Sequence, residues 1–221
     1  MAKVIQMSIK RNIEIFGAEL GSKLVAVSKT HPPEVIKEAY DAGQRIFGEN
    51  KVQEMMAKYE ALPKDIQWHL IGHLQTNKVK YIAPWVSLIH SVDSAKLAEE
   101  IDKQGKKIGR VIPCLLQVYI AREETKFGFD KKELLDFIQD FSLTGISIEG
   151  LMGMASLTDN KDQIRREFRG LKDLLDEINA MSLPPNIKMK QLSMGMSGDY
   201  KIALEEGSTL VRIGTAIFGK R

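Results

Sequence analysis

The chain has 221 residues, 43% of them hydrophobic and 28% charged, which excludes a disordered or collagen-like polymer. A chain this long buries roughly 70% of its unfolded surface, so a core needs neither a disulfide nor a metal, and the single Cys114 supplies no internal disulfide. Thirty-two basic against 29 acidic residues leave +3, too even a balance to mark a nucleic-acid binder.

In chain order, the first element is an amphipathic segment whose face carries Ile5, Ile9, Ile13, Phe16 and Leu20, followed by Gly21. An apolar run, Leu24-Val25-Ala26-Val27, reads as the first strand. Pro32 and Pro33 suit the first turn of a helix and Gly43 its end. Further short apolar runs follow at 45–47, 66–71, 86–89, 111–119, 146–152, 188–192 and 209–213. Their continuous apolar character suits strands buried on both faces, as in a parallel sheet.

Helical patterns separate these runs. Asp130 and Glu133 have capping-box spacing ahead of Leu134, Ile138 and Phe141. Ile164, Phe168, Leu171, Leu175 and Ile178 recur at spacings of three and four, and a short helix is expected over 199–206. No Pro/Gly/Ser-rich linker divides the sequence, so residues 1–221 read as one domain. Eight strand-then-helix units predict an α/β fold, a (β/α)8 barrel of TIM type. Only residues 214–221 follow the eighth strand, so the N-terminal helix is expected to pack where the closing helix would lie. No apolar run of about 18 residues or signal-peptide pattern is present, which predicts a cytoplasmic protein without a membrane segment.

In such barrels the chemistry lies at the C-terminal ends of the strands, with phosphate after strands seven and eight. Strand seven runs into Ser193-Met194-Gly195-Met196-Ser197-Gly198, and strand eight into Arg212-Ile213-Gly214-Thr215. Small residues let backbone amides approach an anion; either loop alone reads more readily as a tight turn, and the two together at this position favour a phosphate site. Lys29, just beyond the first strand, is placed for Schiff-base chemistry; a snorkelling or salt-bridged lysine is the alternative. A phosphate site with an inward lysine points to a phosphosugar aldolase or a pyridoxal phosphate site. Arg212 interrupts an apolar strand and suits the cofactor's ring nitrogen, which an arginine leaves unprotonated; pairing with a carboxylate inside the barrel is the alternative.

Several ordered blocks carry a resemblance. They are Val25-Ala26-Val27-Ser28-Lys29-Thr30-His31-Pro32, Phe47-Gly48-Glu49-Asn50 with Val52-Gln53-Glu54, and Trp68-His69-Leu70-Ile71-Gly72-His73-Leu74-Gln75-Thr76-Asn77-Lys78. Gly150-Leu151-Met152, Leu192-Ser193-Met194-Gly195-Met196-Ser197 and the run from Gly207 to Gly219 complete the set. Together they resemble the pyridoxal phosphate homeostasis proteins, whose fold is similar to the N-terminal barrel of alanine racemase. The resemblance implies pyridoxal 5'-phosphate as cofactor, an internal aldimine on Lys29, and Ser193, Met194, Gly214 and Thr215 around the phosphate. It further implies Arg212 at the ring nitrogen and Asn50 near the cofactor. Ser197 is left between phosphate binding and helix capping, and Lys126 between cofactor handover and a solvated charge. Two positions depart from the family pattern: Lys51 replaces an aromatic, and Tyr119 an asparagine.

The expected function is a non-catalytic, monomeric carrier in intracellular vitamin B6 homeostasis, with apo pyridoxal phosphate enzymes as recipients. Racemases of similar fold carry a second, all-β domain for which 221 residues leave no room. The alternative is an amino-acid racemase using Tyr119 or His69 as its second base. His69 and His73 have helical metal-pair spacing but straddle Gly72, so no metal is expected. Cys114 reads as a buried thiol, and the basic run 103–110 as a solvated helix-end turn.

Overall fold

A computed structural model describes residues 8–121 and 127–219. Eight parallel strands close into a barrel in sequential order: β1 (Leu24–Val27), β2 (Ile46–Glu49), β3 (Gln67–Leu70), β4 (Leu88–Val92), β5 (Ile112–Gln117), β6 (Ile146–Met152), β7 (Ile187–Met196) and β8 (Leu210–Ile213). Helices α2 (Pro33–Asp41) to α8 (Tyr200–Glu205) follow the first seven strands: α3 (Val52–Ala61), α4 (Val79–Ile82), α5 (Ala95–Ile108), α6 (Lys131–Gln139) and α7 (Lys161–Asn179) lie between them. The fold is the expected (β/α)8 barrel.

The gap after β8 is filled as the sequence suggests. Among the described residues a single turn, α9 (Thr215–Phe218), follows that strand, and α1 (Ile9–Leu20) lies against it. Asn12 Nδ2 donates to the Ile217 carbonyl at 2.8 Å, and the Phe16 and Tyr200 rings meet edge-on at 6.0 Å. Ser8 caps α1 through the Arg11 N–H, and Ile13 and Leu20 are its buried residues. Ile5 lies outside the described residues.

Strand periodicity divides the buried residues into two sets. Leu24, Ala26, Phe47 and Trp68 point outward and pack with the helices in the main core. Val25, Leu88, Leu115, Met152 and Leu210, from five different strands, meet one another inside the barrel. The same parity turns Arg212 of β8 inward, between the outward Val211 and Ile213. Cys114 is buried, and burial pushes its thiol well up, so it stays protonated. Asp130 and Glu133 form the expected capping box of α6.

One expectation is revised here. The basic run 103–110 is not simply a solvated turn: Gly105 is buried against the Gly145 carbonyl, and Arg110 donates to the carbonyls of Ala83 and Val86. Arg110 thereby ties the end of α5 to the α4–β4 connection.

Candidate functional site

Lys29 follows β1 in a tight turn, closed by the His31 N–H donating to the Ser28 carbonyl at 3.1 Å. Ser28 itself points outward and is fully buried. Its hydroxyl donates to Glu49 Oε1 at 2.6 Å, and its carbonyl accepts from Lys58 Nζ at 2.9 Å. The Lys58 ammonium also meets Glu49 Oε1 at 2.7 Å and Glu54 Oε1 at 2.6 Å. Glu54 in turn accepts the backbone N–H of Thr30, which sits at φ 66°, a left-handed conformation unusual for a β-branched residue. The turn carrying Lys29 is thus clamped on both sides by α3 and β2.

The electrostatics of that clamp follow from burial. Burial pushes the Glu49 carboxyl above its usual range, more than the Lys58 charge and the Lys58 and Ser28 hydrogen bonds offset. Partial burial also pushes Glu54 up, but the bonds from Lys58 and Thr30 prevail and hold it below the carboxylate range. Glu49 Oε2 is buried with no partner among the described residues. Sequence reasoning missed Lys58; its spacing of four from Glu54 was the available signal.

On the neighbouring strand β8, where it pairs in register with Val25 of β1, Arg212 is 4% exposed. Its Nη1 donates to Ser193 Oγ at 2.6 Å and to the Ser193 carbonyl at 3.0 Å, and its Nη2 to the Gly153 carbonyl at 3.1 Å. Among the described residues it forms no ion pair, so the carboxylate partner considered from sequence is replaced by neutral oxygens. Burial lowers its pKa to about 10, still well above neutrality. A buried guanidinium without a counter-ion, held by neutral groups, is suited to receive an electron-rich ligand.

The glycine turns lie beside it. Gly214 follows β8, where an added Cβ would meet Val27 Cβ and its carbonyl at 3.3 Å. Gly195 has φ 91°, and a Cβ there would approach Ala203 Cβ to 2.5 Å. The first N–H groups of α9, those of Thr215 and Ala216, precede any carbonyl of their own turn to bond. Asn50 stands at the end of β2 with its backbone against Gly72, where a Cβ would come within 2.4 Å of the Asn50 carbonyl.

The remaining expected residues are placed unevenly. Ser193 is fully buried and bonded to Arg212, one layer below the turns. Met194 is also fully buried, its side chain in the outer core, so only its backbone borders the turn. Ser197 does not cap α8: the Asp199 carboxylate instead accepts the Met196 N–H at 2.6 Å, and no side chain caps that helix. Tyr119 lies beyond β5, beside exposed Phe127, Met154 and Met196 on the rim. Lys126 lies outside the described residues.

The histidines part company. His73 Nδ1 pairs with Asp93 Oδ2 at 3.0 Å on the outside, whereas His69 is 6% exposed and bonds His90 Nε2 through Nδ1 at 3.0 Å. His69 opens towards the N-terminal mouth, so it is not placed as a base facing Lys29. His90 Nδ1 continues the chain to Ser193 Oγ at 2.9 Å. Burial holds His69 at about 3 and, reinforced by the neighbouring His69 and Arg212, also keeps His90 well below the ordinary imidazole value, so both imidazoles are neutral.

Fold and site together define a β/α barrel of the racemase type, and the family described as "Alanine racemase, N-terminal domain" matches residues 6–221. A curated relative from Aquifex aeolicus, named pyridoxal phosphate homeostasis protein, is 45% identical over 202 residues, 90% of this chain and 87% of that protein. The chain belongs to the pyridoxal phosphate homeostasis protein family. PipY of Synechococcus elongatus PCC7942, solved with PLP bound, superposes with a TM-score of 0.86 at 36% identity, covering 96% of this chain and all of that one. Alanine racemase from Bartonella henselae shares the fold, with a TM-score of 0.73 at 19% identity over 96% of this chain and 60% of that one.

Proposed function

We propose that this chain binds pyridoxal 5'-phosphate at the C-terminal mouth of the barrel and holds it in reserve for vitamin B6 homeostasis, without catalytic turnover. The observation that carries the reading is Arg212: a buried guanidinium with no ion pair among the described residues, beside the glycine turns at the C-terminal mouth, the end at which Lys29 follows β1. The donor set fits the cofactor. When bound, pyridoxal phosphate supplies an aldehyde that condenses reversibly with an amine and a ring that withdraws electrons.

Each residue then has a task. Lys29 Nζ is the amine, and the Ser28–Glu49–Lys58 clamp fixes the turn from which it reaches. Arg212 offers an N–H to the ring nitrogen while its other donors remain tied to Ser193 and Gly153, which keeps that nitrogen unprotonated. Backbone amides at Gly214 and Thr215, with the Met194 backbone beside them, cradle the phosphate. Asn50 borders the cofactor from β2. With the ring nitrogen unprotonated and His69 turned away, carbanion chemistry is disfavoured. Relatives bearing the homeostasis name and PipY with its PLP support the same reading. Recipients are apo pyridoxal phosphate enzymes, the protein acts as a monomer, and its place is the cytoplasm.

The test is the visible spectrum of purified protein. A band that borohydride traps on the Lys29 peptide, and that Lys29→Ala abolishes, is the expected outcome. A colourless protein that cannot be reconstituted overturns the proposal. Racemisation of L-alanine at enzyme-like rates, abolished by Lys29→Ala, would overturn the non-catalytic part alone.

A further inference from the structure

A cavity of about 470 Å³ opens at the N-terminal mouth of the barrel, the end opposite Lys29. In barrels of this kind that end ordinarily serves stability, with branched apolar side chains filling the interior. Here the cavity reaches His69, a buried imidazole.

The proton positions along the buried chain are fixed by counting donors. Arg212 has only donors, so Ser193 Oγ accepts from it. The Ser193 hydroxyl proton then has one acceptor available, His90 Nδ1; the reverse arrangement would strand that proton in a fully buried site. His90 therefore carries its proton on Nε2 and donates to His69 Nδ1. Neutral His69 is left with its proton on Nε2, and that N–H bonds to no described residue. It is a preset donor at the edge of a cavity.

The lining around it favours negative charge. Lys23 and Lys190 are both exposed and border the cavity. Glu149, an acidic lining residue, is already engaged by Ser147 Oγ at 2.7 Å and Lys188 Nζ at 3.4 Å. Gln191 Oε1 accepts from Thr209 Oγ1 at 2.7 Å, which leaves its NH₂ as a further donor.

We propose that this cavity is a second ligand site, taking a small oxyanion, carboxylate or phosphate, on the His69 Nε2–H with Lys23 and Lys190 supplying the charge. The site stands apart from the cofactor mouth and does not depend on the cofactor reading. A buried polar chain in a barrel interior lowers stability unless its end groups are satisfied, and the anion satisfies the one that is open.

The experiment follows the imidazole resonances of ¹⁵N-histidine-labelled protein at neutral pH and constant ionic strength. Inorganic phosphate and acetate are titrated separately, with chloride as the control. A saturable shift of His69 Nε2–H is expected, with a dissociation constant on the order of 1 mM. The Lys23→Ala/Lys190→Ala double variant, altered only at exposed positions, should bind about tenfold more weakly. Saturation by phosphate alone or acetate alone identifies the source of the oxyanion. Saturation by neither, the same response to chloride, or unchanged affinity in the double variant overturns the proposal.

Discussion

Replacing Lys58 with methionine removes the cation from the clamp beneath Lys29 while keeping an unbranched side chain of similar length. The Glu49 carboxylate is fully buried, receives only Lys58 and Ser28, and has an oxygen without a partner. Removing one member of a buried pair costs about 3–5 kcal/mol because the other charge is left uncompensated. Glu49 has an escape, since its pKa is already raised and protonation relieves the charge. In the variant the native state thus binds more protons than the unfolded chain above the ordinary carboxylate range, and stability falls as pH rises. The slope approaches about 1.4 kcal/mol per pH unit. Urea denaturation at pH 7 and pH 5 should show the larger loss at pH 7, and a Lys58→Met/Glu49→Gln double variant should recover more than half of it. A Lys58→Met variant within about 1 kcal/mol of wild type at pH 7, or equally weakened at both pH values, would refute the reasoning.

Other outcomes follow from particular positions. His69 and His90, held neutral by burial, should show no imidazole titration down to pH 5, and each should cost about 2 kcal/mol as pH falls from 6.5 to 5, because only the unfolded chain takes up the proton; a His69 midpoint near 6.5 by NMR would contradict this. Gly105→Ala should improve helix propensity yet destabilise by about 1–3 kcal/mol, since its Cβ would come within 2.1 Å of the Gly145 carbonyl; chemical denaturation decides the sign. Thr30→Gly should be neutral or stabilising by about 1 kcal/mol, because it relieves a left-handed φ at an exposed residue while leaving the Glu54 bond to the backbone intact; a clear drop in melting temperature would count against it.

The eight strands were legible because parallel barrel strands are apolar on both faces, and their limits blur where that rule fails. Strand β4 runs to Val92 rather than ending at Ile89, since His90 and Ser91 interrupt the apolar run yet remain in the ladder. Strand β7 extends through Ser193-Met194-Gly195 to Met196, a stretch that reads as a loop by composition. Both extensions have one cause: the barrel interior at this level is a hydrogen-bonded chain rather than an apolar layer, so its residues look like strand ends. The burial of Arg212 inside the barrel was readable from its interruption of an apolar run. Ser193 was readable only as a turn residue, because nothing local announces a bond to a histidine 103 positions away. The Lys58 clamp joins three separate segments, and only its helical Glu54 spacing is visible along the chain.

Helix α1 has a consequence for the order of assembly. Its partners Tyr200 and Ile217 lie 181 residues beyond Glu19 and 205 beyond Asn12, so these contacts wait until nearly the entire barrel has been synthesised. Closing so long a loop is entropically slow, and until then the stripe of Ile13, Phe16 and Leu20 leans chiefly on α2, β1 and the turn at 21–23. A helix made before the barrel strands is therefore among the last to be fully docked, and during translation it is a surface a chaperone would find open.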